Sequence, residues 1–297
     1  MTASQRANRI ALAALLLGAV GIGFAPILVR LSPLGPSATA FYRLLLSLPI
    51  LGLWLAWECY AKKRLPFRAG DIKGLSVAGL CFAADLAVWH WALLLTSVAN
   101  ATLFPNFAPI YVTLAGWILF KQGVRPLFIL GMGLALGGAI LLMGENLQLG
   151  GSHLAGDLLA QLTAVFYAGY IVAVGRLRSR LSTAAIMTVS GAITTPVLLL
   201  VAVASGEALW PEPGKGWEAL IALALVSHVG GQSLIAYALA HLPAPFGSVV
   251  LLLQPLVAAL LAWVLLGESL TLLAMLGGLV ILAGILLARL GSPPRGS

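Results

Sequence analysis

Charged residues are scarce in this chain. Asp, Glu, Lys and Arg make up 9% of its 297 residues, whereas an average soluble protein contains about 25%. A soluble globular domain is excluded, because too few charged side chains are present to cover its surface. Long polar stretches are missing as well, which leaves no room for a separate catalytic or nucleotide-binding domain.

Cysteine is nearly absent, with two residues in the whole chain. Cys59 and Cys81 lie within apolar segments at different predicted depths, which argues against a disulfide framework. The sequence also lacks a His-Glu-x-x-His motif, a paired Asp-rich metal motif, and a Ser/Lys or Ser/His pair at a plausible depth. We therefore expect no resident metal ion, no cofactor and no enzymatic activity.

Apolar residues dominate instead, at 61% of the chain with a mean hydropathy of +1.03. A helix that crosses a bilayer needs about 20 mainly apolar residues. The pattern predicts an all-α integral membrane protein, whose first segment is too long for a signal peptide and lacks a cleavage site before Pro26. Ten apolar segments are present, at residues 10–30, 38–60, 73–95, 98–120, 126–145, 156–176, 183–205, 217–240, 245–266 and 271–290.

The net charge of +8 reflects an uneven distribution of basic residues. With the N-terminus inside, 14 of the 17 Lys and Arg residues fall on the cytoplasmic side, which is the standard orienting signal of membrane proteins. Both termini are then predicted to be cytoplasmic, and the loops at 144–157 and 205–217 to face outward. Because topology explains the basic residues, no nucleic-acid partner is expected. The 14 residues are Arg6, Arg9, Lys62, Lys63, Arg64, Arg68, Lys73, Lys121, Arg125, Arg176, Arg178, Arg180, Arg289 and Arg295.

An internal repeat becomes visible when the chain is shifted by 146 residues against itself. It predicts two five-helix repeats, at 1–146 and 155–290, with a disordered tail at 291–297. Five is an odd number, so the second repeat would be inverted, as in secondary transporters that alternate access to a site at the midplane. The glycine runs at 131–138 and 277–284 predict tight helix packing. The matching pairs are Gly23/Gly169, Arg30/Arg176, Pro109/Pro255, Trp117/Trp263, Gly131/Gly277 and Gly138/Gly284.

Three polar residues are predicted to lie at similar membrane depth. Arg43 is about five residues into the second segment, and Asp85 about twelve residues into the third, which places them within roughly 4 Å in depth at 1.5 Å per residue. His90 lies close to the depth of Arg43. A charge at the bilayer centre costs about 2.5 to 3.5 kcal/mol on insertion scales, so Arg43 is expected to be paired, either with Asp85 or with His90 and backbone carbonyls, rather than to face lipid. Its role is either structural, which we favour, or in gating or proton handling.

A second polar set gathers near the predicted midplane. Each member alone is best explained as an interhelical hydrogen bond, whereas together they predict a central aqueous cavity that binds solute. Nearby prolines interrupt the backbone hydrogen bonds and would free carbonyls toward that cavity. Aromatic side chains beside it would suit an aromatic or cationic solute. Besides Asp85 and His90, the predicted binding residues are Trp89, Asn106, Tyr111, Tyr167, Tyr170, His228, Gln232, Tyr237 and Gln254; Arg43, Pro109, Pro255 and Glu268 are the predicted gating or structural residues.

Two stretches carry a resemblance to a known family: Pro36 to Pro49, which contains AFYRLLLSLP, and LLGESLTLLAMLGGLVILAGILL at 265–287. They resemble the EamA domains of the drug/metabolite transporter superfamily, and most of all the YddG type of amino-acid and drug exporter. The resemblance implies a ten-helix basket with a cavity between its halves. It equates Arg43 with the arginine of the second helix, and Gly267 and Glu268 with the ending of the ninth.

The first repeat departs from this family pattern at one point. Lys121 and Gln122 stand where the second repeat has Gly267 and Glu268. Glu268 therefore has either a structural role, such as capping the tenth helix, or a functional one.

The functional expectation combines the repeat, the cavity and the resemblance. We expect a secondary transporter, monomeric, in the bacterial inner membrane, that exports small metabolites, in particular amino acids including aromatic ones. Its partners are the small-molecule solute and the lipid bilayer. The alternatives are export of cationic drugs or other metabolites, and a passive channel or facilitator.

Overall fold

The computed structural model describes residues 3–63, 67–144, 154–211, 216–267 and 269–292. Within these ranges the chain is helical and contains no strand. Ten helices are long and apolar enough to span a membrane, which confirms the predicted spans. They are α1 (Gln5–Arg30), α2 (Pro36–Lys62), α3 (Ala69–Ala92), α4 (Asn100–Phe120), α5 (Pro126–Met143), α6 (Leu154–Leu177), α7 (Thr183–Ala204), α8 (Trp217–Ala238), α9 (Ala244–Leu265) and α10 (Leu272–Gly291).

Lipid exposure explains why the described segments are helical. Large apolar side chains such as Leu53, Trp117 and Leu279 point outward from the bundle and are exposed. Facing hydrocarbon, the backbone has to satisfy its own hydrogen bonds, which a helix does within one segment. Hydroxyl caps at Ser182 and Thr271 accept from backbone N–H groups in the first turns of α7 and α10, each at 3.2 Å.

The helices pack in pairs that follow the repeat. Three helices contact their own equivalents: α2 packs on α7, α4 on α9 and α5 on α10. The extensive contact between α3 and α6 is matched by one between α8 and α1. These pairs are related by exchanging the two repeats, so the internal symmetry seen in the sequence extends to the packing.

The α5/α10 contact is a seam in which backbones touch. A Cβ atom added to Gly131 would lie 2.2 Å from the Ala288 nitrogen, and one added to Gly138 would lie 2.6 Å from the Ile281 nitrogen. The predicted glycine seam is thereby confirmed. Residue numbers rise along α5 as they fall along α10, so these equivalent helices are antiparallel, as inverted repeats require.

Five helices are interrupted. The α4 interruption is a 3-10 turn at Phe104–Phe107, and α9 turns at residues 251 and 252. A shift of 146 residues nearly superimposes these two positions, and prolines that lack a backbone N–H accompany both. Shorter interruptions occur at Phe24 in α1 and at residues 46 and 47 in α2, while α8 contains the π-helix Leu223–Gln232.

A carboxylate joins the two repeats at the predicted outer end. The Glu207 carboxylate, just after α7, accepts hydrogen bonds from the backbone nitrogens of Ser37 (3.1 Å) and Ala38 (2.8 Å) at the start of α2. Gly35 admits it, because a Cβ atom there would lie 2.4 Å from a Glu207 oxygen. The Tyr42 hydroxyl, on α2, also donates to the Leu209 carbonyl at 2.8 Å.

Some predicted features lie outside the described residues. These are Glu268, most of the linker between the repeats, and residues 293–297 of the predicted tail. Gly291, also assigned to that tail, is the last residue of α10. Cys59 and Cys81 are free, in agreement with the absence of a disulfide framework.

Candidate functional site

A cavity with about 1010 Å³ of empty volume lies at the centre of the bundle. Its wall comes from α1, α2, α3 and α4 of the first repeat and from α6, α8 and α9 of the second. It surrounds the interruptions of α1, α4 and α9, which bring Pro26, Pro105 and Pro255 to its surface. We call it the central cavity.

Most predicted site residues reach this cavity. The cavity-lining members of the predicted set are Arg43, Asp85, Trp89, Asn106, Pro109, Tyr167, Gln232, Gln254 and Pro255. The remaining described members, His90, Tyr111, Tyr170, His228 and Tyr237, are not part of its wall. The sequence therefore identified the charged and amide side chains of this wall, and whether these side chains bind a solute stays a prediction.

Of the two arrangements predicted for Arg43, the ion pair with Asp85 is not formed. Among the described residues, the ion pairs within 4.0 Å are Lys62–Glu58 and Arg180–Asp71. Arg43 and Asp85 are both buried, with 8% and 7% exposure, and both line the cavity. The Arg43 guanidinium lies 6.0 Å from the centre of the Phe82 ring. Depth alone suggested the pair, but the two side chains face an open space rather than each other.

Four rings form a stack beside the guanidinium. Tyr167 stacks on Tyr170 with ring centres 6.2 Å apart, Tyr170 on Phe82 at 4.7 Å, and Phe82 on His228 at 5.7 Å. Tyr167 and Phe82 also line the cavity. Tyr170 and His228 thus lie behind the cavity wall and support the residues that form it.

Several buried polar atoms at the cavity have no hydrogen-bond partner among the described residues. They are the Arg43 Nε, the Gln232 Oε1 and the Gln254 Nε2. Other polar groups are satisfied internally: the Trp89 Nε1 donates to the Ala101 carbonyl at 2.8 Å, and the Asn106 Nδ2 to the Thr102 carbonyl at 2.7 Å. Leaving a buried polar group unpaired costs about 1 to 3 kcal/mol, so the unpaired set is suited to a polar ligand.

The predicted residues that do not line the cavity contact other side chains. The Tyr111 hydroxyl accepts a hydrogen bond from the Gln161 Nε2 at 2.6 Å. The Tyr237 ring packs against His241, and His90 against Trp89. The ring nitrogens of His228 and the Nδ1 of His90 are buried without a partner among the described residues.

Sequence reasoning missed Phe82, the part of α1 near Pro26, and the π-helix. Phe82 gave no signal, because a phenylalanine in an apolar helix is ordinary packing. Pro26 was a usable signal, since a proline within a long helix interrupts it. No residue pattern in 223–232 predicts a π-helix, although such segments are frequent at functional sites.

The chain was compared with known proteins. The family model described as the EamA-like transporter family matches it twice, at residues 9–144 and 154–290. The chain belongs to the EamA-like transporter family. It is therefore a multi-pass membrane transporter with an internal repeat.

Two relatives of this EamA-like transporter are named as uncharacterized transporters. One, from Archaeoglobus fulgidus, is 28% identical over 267 residues, covering 87% of this chain and 89% of the relative. The other, YwfM of Bacillus subtilis, is 25% identical over 270 residues, covering 88% and 86%. A protein crystal structure with 18% identity matches 96% of this chain and 97% of its own with a TM-score of 0.76, which shows the shared fold.

A second cavity of the EamA-like transporter, with about 1540 Å³ of empty volume, lies at the predicted inner end. We call it the inner vestibule. It is lined by Arg125 and Arg176 and by parts of α4, α6 and α9. The two cavities are close to each other along α4. Pro109 lines the central cavity, and Val112, about one turn later, lines the vestibule. The buried side chains of Val112 and Ile171 lie in this region.

Proposed function

We propose that this EamA-like transporter is a secondary carrier that exports small metabolites, in particular amino acids including aromatic ones, across the bacterial inner membrane. The observation that carries the proposal is one cavity walled by helices of both repeats and containing buried, unpaired polar groups. A site between two repeats is where carriers of this type bind their solute. The carrier is proposed to act as a monomer with both termini in the cytoplasm.

The arrangement of the two cavities supports alternating access. Both share α4, α6 and α9, and a short apolar region separates them. The equivalent helices α5 and α10 are antiparallel, so a movement that opens the central cavity toward the inner end has a counterpart, related by the repeat, that opens it toward the outer end. A small rearrangement at the interruptions of α4 and α9 would join the central cavity to the inner vestibule.

The amino-acid assignment is supported by the chemistry of the wall. The central cavity combines one arginine, one aspartate and the aromatic residues Trp89, Tyr167 and Phe82. An amino acid carries both charges, and an aromatic side chain stacks favourably on aromatic rings. The resemblance to YddG-type exporters points to the same class of solute.

Counterflow in proteoliposomes tests the proposal. Vesicles that contain the purified full-length protein are preloaded with unlabelled amino acid, and uptake of radiolabelled phenylalanine, tryptophan, leucine or serine is followed with and without a proton gradient. We expect saturable counterflow that is fastest for the aromatic amino acids. Flux confined to cationic drugs or to another solute class would overturn the amino-acid assignment but leave a carrier, whereas unsaturable flux would indicate a channel.

A matched pair of tyrosine variants locates the transport site. Tyr167 lines the cavity, whereas Tyr60 is 85% exposed on the outside of the bundle. Tyr167→Ala is expected to raise the half-saturation concentration for phenylalanine by about 10-fold, the value of one aromatic contact of about 1.4 kcal/mol. Tyr60→Ala should leave it unchanged. Equal effects of the two variants would mean that the central cavity is not the solute site.

A further inference from the structure

We propose that the central cavity recognises both charged ends of an α-amino acid, with Arg43 binding the α-carboxylate and Asp85 the α-ammonium group. The inference rests on the proposed function and adds to it the two residues that select zwitterions. It predicts that the transporter rejects solutes that carry only one of the two charges.

The two charged residues of the cavity are buried without pairing with each other. Arg43 on α2 and Asp85 on α3 are each more than nine-tenths buried and both line the cavity, yet no ion pair within 4.0 Å joins them. Each charge buried at membrane depth costs several kcal/mol unless it is compensated. A solute with one anionic and one cationic group compensates both at once.

Both charged residues lie near Phe82. The Arg43 guanidinium is 6.0 Å from the centre of the Phe82 ring, and Asp85 follows Phe82 by three residues, about one turn of α3. All three residues line the cavity. A solute whose ammonium and carboxylate groups are attached to one carbon atom suits two charged residues that lie near the same ring.

Neutral polar atoms without a partner also belong to residues that line the cavity. The Gln254 Nε2 is a donor without a partner, and the Gln232 Oε1 is an acceptor without one, among the described residues. A carboxylate accepts from the first, and an ammonium group donates to the second. The cavity thus offers unpaired groups of both kinds in addition to its two charges.

The selectivity follows from what each solute leaves unpaired. An amine would occupy Asp85 and leave the Arg43 guanidinium buried beside an apolar ring, and a carboxylic acid would do the reverse. A site built to pair a polar group discriminates strongly against an analogue that lacks it, because its own buried group is then left without a partner.

Competition in proteoliposomes tests the inference. Counterflow of radiolabelled phenylalanine into vesicles containing the full-length protein is measured against phenethylamine and phenylpropionate, which keep the ring and lose one charge each. Leucine, isoamylamine and isocaproate form a second set. In the wild type, either analogue is expected to compete about 10-fold to 100-fold more weakly than the amino acid, since a charge-assisted hydrogen bond contributes that factor.

Charge-removing variants should relax this selectivity in opposite directions. Arg43→Gln is expected to weaken the binding of phenylalanine about 10-fold or more, and to make phenethylamine a better competitor relative to phenylalanine. Asp85→Asn is expected to weaken phenylalanine binding in the same way, and to make phenylpropionate the better relative competitor. Asp157→Asn is the control: Asp157 is equally buried but accepts hydrogen bonds from Thr96 and Asn100 and is not part of the cavity wall. It should not alter the ranking of the competitors.

The outcomes separate the inference from the proposed function. If the wild type carries amino acids but is inhibited as strongly by the amine and the acid, the inference is overturned and amino-acid transport stands; this comparison needs no variant to fold. Equal changes toward all competitors in Arg43→Gln and Asp85→Asn, with unfolding temperatures near that of the wild type, overturn it as well. If the wild type carries neither phenylalanine nor leucine, the amino-acid assignment and the inference both fail.

Discussion

At the scale of single residues, backbone geometry is preserved where the sequence differs between the repeats. Lys121, at the end of α4, has a left-handed backbone with φ of 52°, and Gly267, its equivalent after α9, has φ of 69°. Lys121 therefore adopts a conformation that suits glycine, at a cost of about 1 to 2 kcal/mol. The departure from the family pattern at this position affects the side chain and leaves the turn in place.

Lys121→Gly should stabilise the protein by about 1 kcal/mol, because glycine adopts positive φ without steric cost. The reciprocal change, Gly267→Ala, should destabilise it by a similar amount. A Cβ atom at Gly267 meets nothing within 4 Å, so its effect reports backbone conformation alone. Thermal unfolding in detergent measures both. A lower unfolding temperature for Lys121→Gly would show that the lysine side chain contributes more than its backbone costs.

The charged and amide side chains of the cavity could be predicted at this scale, because polar residues in an apolar chain stand out. Asp85, Gln232 and Gln254 were identified from their predicted depth alone. The direction of a side chain around its helix axis cannot be obtained from depth, which is why the direct contact between Arg43 and Asp85 was wrong. Phe82 could not be found, since its chemistry does not differ from that of the surrounding core.

At the scale of helices, the α5/α10 seam is the tightest contact of the bundle. Its backbones approach so closely that no side chain fits at Gly131, Gly138, Gly277 or Gly284. In a bilayer, where the hydrophobic effect does not drive helices together, such close approach provides the association energy through packing. The seam was predictable because its glycines recur at a spacing of seven in both repeats.

Two alanine variants on α5 separate packing from helix propensity. Gly131→Ala is expected to destabilise the protein by about 1 to 3 kcal/mol, the usual cost of overpacking, since the added Cβ atom would lie 2.2 Å from the Ala288 backbone. Gly133→Ala meets nothing within 4 Å and should be neutral or stabilising by about 1 kcal/mol, because alanine favours the helix. Urea or thermal unfolding in detergent compares them. Equal destabilisation by both variants would contradict the close backbone contact at Gly131.

The interruptions of the helices were predictable only where proline causes them. Those of α4 and α9 occur beside Pro105 and Pro255, and both prolines line the central cavity. The π-helix of α8 contains no proline within Leu223–Gln232. This segment packs against α1, and a local sequence pattern does not encode such a contact.

At the scale of the whole molecule, the repeat and the family membership agree. The family model matches the chain twice, and three of the five pairs of helices equivalent under the 146-residue shift pack on one another. A repeat of this kind is visible in sequence because glycine, proline and tryptophan keep their positions. The orientation in the membrane follows only from the basic residues and remains a prediction.

Accessibility of single cysteines tests that orientation. Ser205 after α7 and Ser179 after α6 are both exposed and lie at opposite ends of the bundle. With Cys59 and Cys81 replaced by serine, Ser205→Cys should react with a membrane-impermeant maleimide added to intact cells, whereas Ser179→Cys should react only after permeabilisation. The reverse pattern would invert the topology and place the inner vestibule on the outside.

The glycine seam also has a consequence for movement. Two backbones in direct contact have no intervening side chains that could repack. We therefore expect α5 and α10 to keep their relative position while the interrupted helices move. Amide hydrogens from Gly131 to Ala139 and from Gly277 to Ala288 should then exchange slowly and at the same rate with or without solute. Exchange in the interrupted parts of α4 and α9, which line the central cavity, should respond to solute instead.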